Sequence, residues 1–300
     1  MAITVCPVTP RFAAEIGDVD LSGPIAPPDL QAIKDAFAKY AVLIFPDQQL
    51  SQDQHLDFAK HFGPLETTIA LHRKDAQLRV RKEFADVSNL DPENQVWGKD
   101  SRQRMFQMGN RLWHTDSSFK RLPALASLLY ARSIPSVGGH TEFADERAAY
   151  DALPEEMKRR LDSLVAEHSI FNSRARLGFT NFSDEERQGL PPVPQVLVRT
   201  IPESGRKSLY LASHVGRIIG MSDAEGSALI DQLTAHATQR QFVYVHRWRV
   251  HDLVIWDNRC TMHRGSDYDD LRWKRDMQRA TVCDTANSCE QAGIQIEAAE

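Results

Sequence analysis

The chain has 300 residues, of which 42% are hydrophobic and 26% charged, and its formal net charge is -5. This composition is typical of a globular protein and gives no overall basic character for binding nucleic acid. No apolar run approaches the roughly 18 residues that span a membrane, so no membrane association is expected. The N-terminus lacks the pattern of a secretory signal, and the four cysteines include no C-x-x-C pair. We therefore expect reduced thiols and a cytoplasmic location.

The first third of the chain begins with elements that are easy to recognise. Apolar residues at helical spacing predict an amphipathic helix over Asp29–Tyr40, and the apolar run 41–45 predicts a buried strand. Ser51 and Gln54 have the spacing of a capping box, which opens a second helix. The stretch 66–109 is polar with little periodicity. A long region of this kind in a compact domain is often a lid or a binding loop.

The middle of the chain mixes strand and helix signals. Pro123–Ile134 is apolar and reads as a strand, and two glycines before Thr141 predict a turn that delivers it onto the next strand. A helix is expected to begin at Leu153-Pro154, with its apolar face continuing to Leu164. Residues 172–195 contain glycines and prolines and are expected to be irregular.

The remaining sequence is predicted to be mostly strands. These are expected at residues 196–198, 208–212, 242–248, 253–256 and 275–283. One helix is expected to begin at the cap Ser222, and the polar tail beyond Asp284 is expected to be frayed. Without repeats or linkers, we expect one domain over residues 1–300. The predicted fold class is mainly β with helices, as a β-sandwich or barrel core with helical additions.

The motif His114-x-Asp116 places two metal-binding side chain types two positions apart. In a strand, both side chains would point to the same face. Together with a third ligand, His263, they would form the 2-His-1-carboxylate facial triad of non-haem Fe(II) oxygenases. The motif alone is a weak signal, because two ordinary polar residues of a strand have the same pattern.

Other readings of these residues remain open from the sequence alone. Cys260 lies three residues before His263 and could form half of a zinc site, but no second pair stands at zinc spacing. Arg275 and Arg279 are four residues apart, and two guanidinium groups on one face suit the binding of carboxylates. If these arginines stood alone, a surface pair satisfied by nearby acidic residues would be the better interpretation.

The order and spacing of these motifs resemble the taurine dioxygenase-like family of Fe(II)/2-oxoglutarate-dependent oxygenases, from about Pro10 to Asp284. The motifs that carry the resemblance are His114-x-Asp116, Gly138-Gly139-His140-Thr141, the segment Trp256–His263, and Arg275-x-x-x-Arg279. Further stretches resemble the members that act on aryloxyacetates: Leu50–Gln54, Phe62–Glu66, Trp113–Phe119, Arg147–Pro154 and Ala237–Tyr244. The resemblance implies a double-stranded β-helix (jelly-roll) core with flanking helices and lid loops.

The resemblance also implies roles for individual residues. His114, Asp116 and His263 would be the iron ligands. Thr141 would hydrogen-bond a carboxylate of the co-substrate 2-oxoglutarate, and Arg275 would pair with its distal carboxylate.

Substrate binding is implied for two further residues. Arg279 would lie near the metal and help bind the acidic group of the substrate or the C1 end of 2-oxoglutarate. Asn110 matches a position that contacts taurine in the relatives. The interval from His263 to Arg279 is one residue longer here than in the taurine enzymes, so a bulge or a longer loop must absorb it. Otherwise Lys274 would be the rival for the place of Arg275.

The implied reaction is hydroxylation of an aryloxyacetate next to its ether oxygen, which gives a phenol and glyoxylate together with succinate and CO2. The partners would be O2 and a small anionic aromatic substrate, and assembly as a homo-oligomer is left open. One alternative is the same oxygenase chemistry on taurine, another alkylsulfonate or a different small carboxylic acid. A zinc hydrolase or a non-catalytic binding module would leave the paired arginines unexplained.

Overall fold

The computed structural model of the chain describes residues 2–72 and 77–295. The strands are β1 (Thr4–Pro7), β2 (Ala13–Gly17), β3 (Val42–Phe45), β4 (Phe84–Asp86), β5 (Ala124–Ser133), β6 (Thr141–Asp145), β7 (Val165–His168), β8 (Val193–Val196), β9 (Val198–Thr200), β10 (Lys207–Leu209), β11 (Val215–Ile218), β12 (Val243–His246), β13 (Leu253–Asp257), β14 (Thr261–Gly265) and β15 (Asp276–Cys283).

The helices lie mainly between the strands. They are α1 (Pro27–Tyr40), α2 (Gln52–Lys60), α3 (Arg102–Gln107), α4 (Glu146–Asp151), α5 (Glu155–Leu161), α6 (Ile170–Ala175), α7 (Asp184–Gly189), α8 (Asp223–Ala237) and α9 (Ser288–Gln291), with 3-10 turns at Ile69–His72, Met108–Arg111 and Arg240–Phe242. In the two described ranges, no helix combines the length and the apolar character needed to cross a bilayer.

A seven-stranded sheet organises the fold, in the order β1-β2-β3-β13-β5-β15-β4. All its neighbours are antiparallel except β2 and β3, which run parallel. A second sheet of three strands, β12-β6-β14, carries Thr141 at the start of β6 and His263 in β14. Further strands pair as β11-β7-β8 and β10-β9.

Strand β3 shows why the run 41–45 is apolar at every position and does not alternate with polar residues. Val42 and Ile44 face a core cluster shared with β6 of the smaller sheet, whereas Leu43 and Phe45 face a second cluster with α1 and α2. Successive side chains of a strand point to opposite faces, so a strand covered on both sides must be apolar throughout. The large sheet is therefore the middle layer, between helices on one face and the smaller sheet on the other.

Several predicted elements are confirmed. Helix α1 ends at Tyr40 as expected, and α2 begins with a complete capping box between Ser51 and Gln54. The predicted strand Pro123–Ile134 is present as β5, and Thr141 opens β6.

Other predictions were wrong. The helix predicted from Leu153 to Leu164 ends at Leu161, and the stretch predicted to be irregular, 172–195, contains part of α6, all of α7 and part of β8. The tail after Asp284 forms α9 on the cap Asn287, with Cys289 buried in a small cluster. Residues 296–300 of that tail lie outside the described residues. The prediction of an irregular segment over residues 172–195 failed because glycines and prolines lie between its short helices and strands and obscure their hydrophobic periodicity.

Buried His168 on β7 should make the stability of this fold sensitive to acid. The ring is fully buried, and neither nitrogen has a hydrogen-bond partner among the described residues. Burial lowers the pKa of His168 from the usual 6.5 to about 3, so the folded chain keeps the ring neutral where the unfolded chain protonates it. The stabilising contribution is therefore complete above about pH 6.5 and is lost progressively as the pH falls from there towards 3.

We expect His168→Leu to reduce this sensitivity. Between pH 7.5 and 5.5 the wild-type chain should lose about 1.4 kcal/mol of unfolding free energy through this one group, and the variant should not. Urea unfolding at the two pH values measures the difference. The control is His61→Leu, a replacement of an exposed histidine at the end of α2. If His168→Leu and wild type lose the same free energy, His168 is not the group responsible.

Candidate functional site

Two backbone hydrogen bonds bring the two histidines of the motif together. The amide of His114 donates to the carbonyl oxygen of His263 at 3.0 Å, and the amide of His263 donates back at 2.8 Å. Asp116 follows two residues later, and all three side chains are buried. Their ligand atoms lie within 4.8 Å of one another, which suits a single metal ion.

The predicted strand at His114-x-Asp116 is wrong in detail. His114 makes an isolated bridge with His263, and Asp116 already lies in a turn. Ser117 adopts a positive φ of 53° at this turn, a backbone conformation that non-glycine residues seldom adopt. The backbone amide of Asp116 donates to the side-chain oxygen of Asn258 at 3.2 Å. This side-chain hydrogen bond takes the place of the backbone hydrogen bond that a neighbouring strand would provide.

Neighbouring groups orient the candidate ligands. Nδ1 of His114 lies 2.7 Å from the carbonyl oxygen of Leu112 and donates to it, which leaves Nε2 free to bind a metal. The hydroxyl of Ser127 donates to Oδ2 of Asp116 at 2.7 Å, and the side-chain amide of Asn258 donates to the oxygen of that hydroxyl at 2.9 Å. Ser127 and Asn258 are positioning residues that the sequence analysis did not identify. Ser127 belongs to no recognisable motif, and Asn258 lies in the segment Trp256–His263, where only His263 was assigned a role.

The charge states at the site suit a metal. Burial lowers the pKa of His114, and it lowers the pKa of His263 well below the usual value. Both imidazoles are therefore neutral. Burial alone would raise the pKa of Asp116, but the positive charge of Arg279 and the hydrogen bond from Ser127 lower it below its usual value. Two neutral imidazoles and one carboxylate form the donor set of a non-haem Fe(II) centre.

The alternative metal site with Cys260 is not formed. In the described part of the chain, the cluster able to hold a metal consists of His114, Asp116 and His263 without this cysteine. Cys260 is fully buried in the core between the sheets, and burial raises the pKa of its thiol far above the usual value. A protonated thiol is a poor zinc ligand.

A small cavity of about 90 Å³ adjoins the triad, and Thr141 and Arg275 line it. The indole of Trp248 donates to the hydroxyl oxygen of Thr141 at 3.0 Å, so the hydroxyl hydrogen remains available for an acceptor in the cavity. Arg275 is only 8% exposed, and its guanidinium donates to the carbonyl oxygen of Val87 at 3.2 Å. No carboxylate of the described residues forms an ion pair with it. A buried cation without a partner favours an anionic ligand.

The position of Lys274 differs from that of its neighbour. Its side chain is exposed and donates to the backbone oxygen of Asn94 at 2.7 Å, away from the cavity. Arg275 and Arg279 both line the cavity, as a shared strand face predicts. The loop 266–275 between β14 and β15 separates His263 from this strand. The geometry therefore favours Arg275 over Lys274 for a distal carboxylate.

Arg279 and Asn110 lie where the small cavity meets a larger one, and both line the two cavities. The guanidinium of Arg279 forms an ion pair with Oδ1 of Asp116, so it lies directly beside the candidate metal ligands. The side-chain amide of Asn110 donates to Gln107 at 2.8 Å. Both positions agree with the sequence predictions, although the roles themselves stay predictions.

The larger cavity, of about 230 Å³, opens from His114, Asp116 and Arg279 into a largely apolar space, which charged side chains such as Glu66 and Lys120 also line. Its apolar lining includes Ile69, Leu78, Phe106, Phe119, Phe171 and Phe182. Part of this lining comes from the stretch 66–109, which was predicted to be a lid or binding loop, and part from α6 and the segment after it. Arg174 of α6 also lines the cavity, and the sequence analysis missed it because α6 lay in a stretch predicted to be irregular.

Comparison with known proteins gives consistent matches over nearly the whole chain. Residues 4–281 match the family model described as taurine catabolism dioxygenase TauD, TfdA family. The chain is 44% identical to the alpha-ketoglutarate-dependent 2,4-dichlorophenoxyacetate dioxygenase of Cupriavidus pinatubonensis, over 95% of this chain and 99% of that protein. It is 38% identical to the (S)-phenoxypropionate/alpha-ketoglutarate-dioxygenase of Sphingobium herbicidovorans, over 94% and 95%.

A crystal structure of AAD-2 in complex with Mn(II) and N-oxalylglycine resembles the present fold. The sequence identity is 47% and the TM-score 0.88, over 96% of this chain and 99% of the other. At this level of identity, the similarity extends from the fold to the family.

Proposed function

The chain belongs to the TauD/TfdA family of 2-oxoglutarate-dependent dioxygenases, and from this premise we propose that it hydroxylates an aryloxyacetate next to the ether oxygen. The jelly-roll core with flanking helices that the resemblance implied is confirmed by the similarity to solved structures of the family. The enzyme is thus an oxidoreductase that uses Fe(II) and 2-oxoglutarate. The substrate class is the part that requires an argument from this chain.

One observation carries the substrate class. The triad opens into a cavity whose wall is largely aromatic and aliphatic, while a guanidinium lies at the metal end. An aryloxyacetate has the same order of groups, with an apolar ring at one end and a carboxylate next to the carbon that reacts. Taurine is small and polar along its length, so it would leave this apolar wall in contact with water.

The residues divide the binding task. His114, Asp116 and His263 would hold Fe(II), while Arg275 and Thr141 would hold carboxylate oxygens of 2-oxoglutarate through charge-assisted hydrogen bonds. When bound, iron with 2-oxoglutarate and O2 supplies the oxidising chemistry for an unactivated C–H bond, with succinate and CO2 as products. Ser127 fixes one oxygen of Asp116, so the carboxylate offers its ligand atom in a defined direction.

The product follows from the chemistry of the substrate. Hydroxylation of the CH2 between the ether oxygen and the carboxylate gives a hemiacetal. This compound breaks its bond between the hydroxylated carbon and the ether oxygen, the hydroxyl loses its proton, and the ether oxygen leaves as a phenol. The remaining two-carbon fragment is glyoxylate.

A substrate panel tests the proposal. We expect phenoxyacetate and 2,4-dichlorophenoxyacetate to stimulate succinate formation and to release one phenol for each succinate. Taurine, a longer alkylsulfonate and a small aliphatic acid serve as the other arms of the panel. Absence of phenol from every aryloxyacetate would refute the proposed substrate class, and strong stimulation by a sulfonate would assign the activity to the alternative.

Replacing Arg279 should disturb the orientation of the substrate. Arg279→Met keeps the aliphatic stem and removes the charge beside Asp116, so the ring can still pack while the carboxylate loses its partner. We expect weaker binding and poorer coupling, with 2-oxoglutarate consumed without equivalent release of phenol. The measurement is phenol formed per succinate formed, with exposed Arg121→Met as the matched control. A ratio equal to that of wild type would contradict the role given to Arg279.

Some expectations stay predictions. A single domain over residues 1–300 and a cytoplasmic location rest on the sequence analysis alone, which leaves assembly as a homo-oligomer open. Strands at both ends of the described chain, β1 and β15, lie in the same sheet, which supports the single domain.

A further inference from the structure

The lining of the larger cavity includes a buried cation, Arg174, which has no role in the proposed function. Its side chain is 6% exposed, and it forms no ion pair with a carboxylate in the described ranges. One guanidinium nitrogen donates to the hydroxyl of Ser173 at 3.0 Å, and Nε has no partner among the described residues. Burial lowers the pKa of Arg174 to about 10, so the group still carries its charge at neutral pH. A buried and incompletely bonded cation is costly unless an anion meets it.

The surroundings of Arg174 fix its position. The guanidinium carbon lies 4.3 Å from the ring centre of Phe106, and the aliphatic neighbour Ile170 lines the same cavity. Gly109 provides the space on the other side, because a Cβ at that position would collide with the guanidinium. The cation is therefore held between an aromatic ring and a glycine, in the wall of the cavity.

Arg174 also lies near the reacting end of the cavity. Both Arg174 and Arg279 line this cavity together with His114. The Ser173 hydroxyl that accepts from Arg174 lies 3.0 Å from Nδ1 of His214. The ring centre of His214 is 6.1 Å from that of His114. Arg279 has an anionic partner in Asp116, whereas Arg174 has none among the described residues. An anion that enters the cavity beside His114 would therefore meet Arg174 as the less satisfied of the two cations.

We infer that Arg174 is a second binding residue for the carboxylate of the substrate, which is held between Arg174 and Arg279 while the ring extends along the phenylalanine-lined wall. This inference rests on the proposed function and adds a specificity determinant to it. This arrangement discriminates strongly between an acid and a neutral analogue of the same shape, because the neutral group leaves the charge of Arg174 buried without an anion. The contact of Arg174 with Phe106 satisfies the face of the guanidinium but none of its N–H donors.

The test compares phenoxyacetate with its neutral isostere phenoxyacetamide. Dissociation constants are measured with the chain loaded with Mn(II) and N-oxalylglycine, so that no turnover consumes the ligand. Arg174→Gln should weaken binding of the acid by about tenfold to a hundredfold. Binding of the amide should change much less. Gly109→Ala, which keeps the charge but displaces the guanidinium, should weaken binding of the acid in the same direction.

Two controls separate charge recognition from damage to the fold. Arg176→Gln removes an exposed arginine two residues further on, which lines neither cavity. The affinity for N-oxalylglycine and the thermal midpoint should stay unchanged in every variant. An acid affinity that survives in either Arg174→Gln or Gly109→Ala would overturn the inference, and so would equal losses for acid and amide. If the wild-type chain binds no phenoxyacetate, the proposed function fails, and this inference fails with it.

Discussion

Replacing His114, Asp116 or His263 by alanine should abolish turnover, because each variant removes one of the three side chains that, among the described residues, form the cluster able to bind iron. Loss of an outer hydrogen-bond partner of a metal ligand typically costs about 10–100-fold in affinity or activity, and loss of a ligand itself should cost more. Asp116→Ala carries an additional penalty, since it leaves the charge of Arg279 without its anionic partner. The measurements are anaerobic Fe(II) affinity and succinate formation.

Matched replacements elsewhere provide the comparison for these three variants. His61→Ala and Asp57→Ala change exposed residues of α2 and its cap, far along the chain from the triad. Both should bind Fe(II) and turn over like wild type. If one of the three triad variants also keeps both properties near wild type, the residue replaced in it is not a ligand.

Arg275→Gln should raise the 2-oxoglutarate requirement far more than the substrate requirement. The guanidinium is buried in the small cavity and lacks an anionic partner among the described residues, so a bound dicarboxylate would supply one. A charge-assisted hydrogen bond contributes roughly 1.5–3 kcal/mol, which corresponds to about a tenfold to hundredfold change in affinity. The apparent KM for 2-oxoglutarate, measured at saturating substrate, reports the change.

Lys274→Gln is the matched control for this prediction. It removes the adjacent charge, but the Lys274 side chain is exposed and bonded to the backbone of Asn94 outside the cavity. Its 2-oxoglutarate requirement should remain that of wild type. A larger effect at Lys274 than at Arg275 would reverse the assignment, and equal effects of Arg275→Gln on both requirements would indicate a shared role for Arg275.

Elements with a strong local pattern were predictable from the sequence. The capping box at Ser51 satisfies orphan amides of its own helix, so its signal needs no distant partner. The apolar run of β3 predicted burial on both faces, and both faces are covered. Short elements such as α6, α7 and α9 were missed, because six residues or fewer hold less than two helical turns and show no clear period.

The sequence by itself determined the reaction class, because the order and spacing of His114-x-Asp116, His263 and the paired arginines resemble one oxygenase family, and a linear comparison detects that order. The four-residue spacing of Arg275 and Arg279 also predicted that the two side chains share a face, and both line the small cavity. Only the tertiary structure decided which charges meet. Arg279 pairs with Asp116 across 163 positions of the chain, and Arg174 occupies the space left by Gly109. Such contacts depend on how loops and strands converge on one cavity, and no periodicity in the sequence records that convergence.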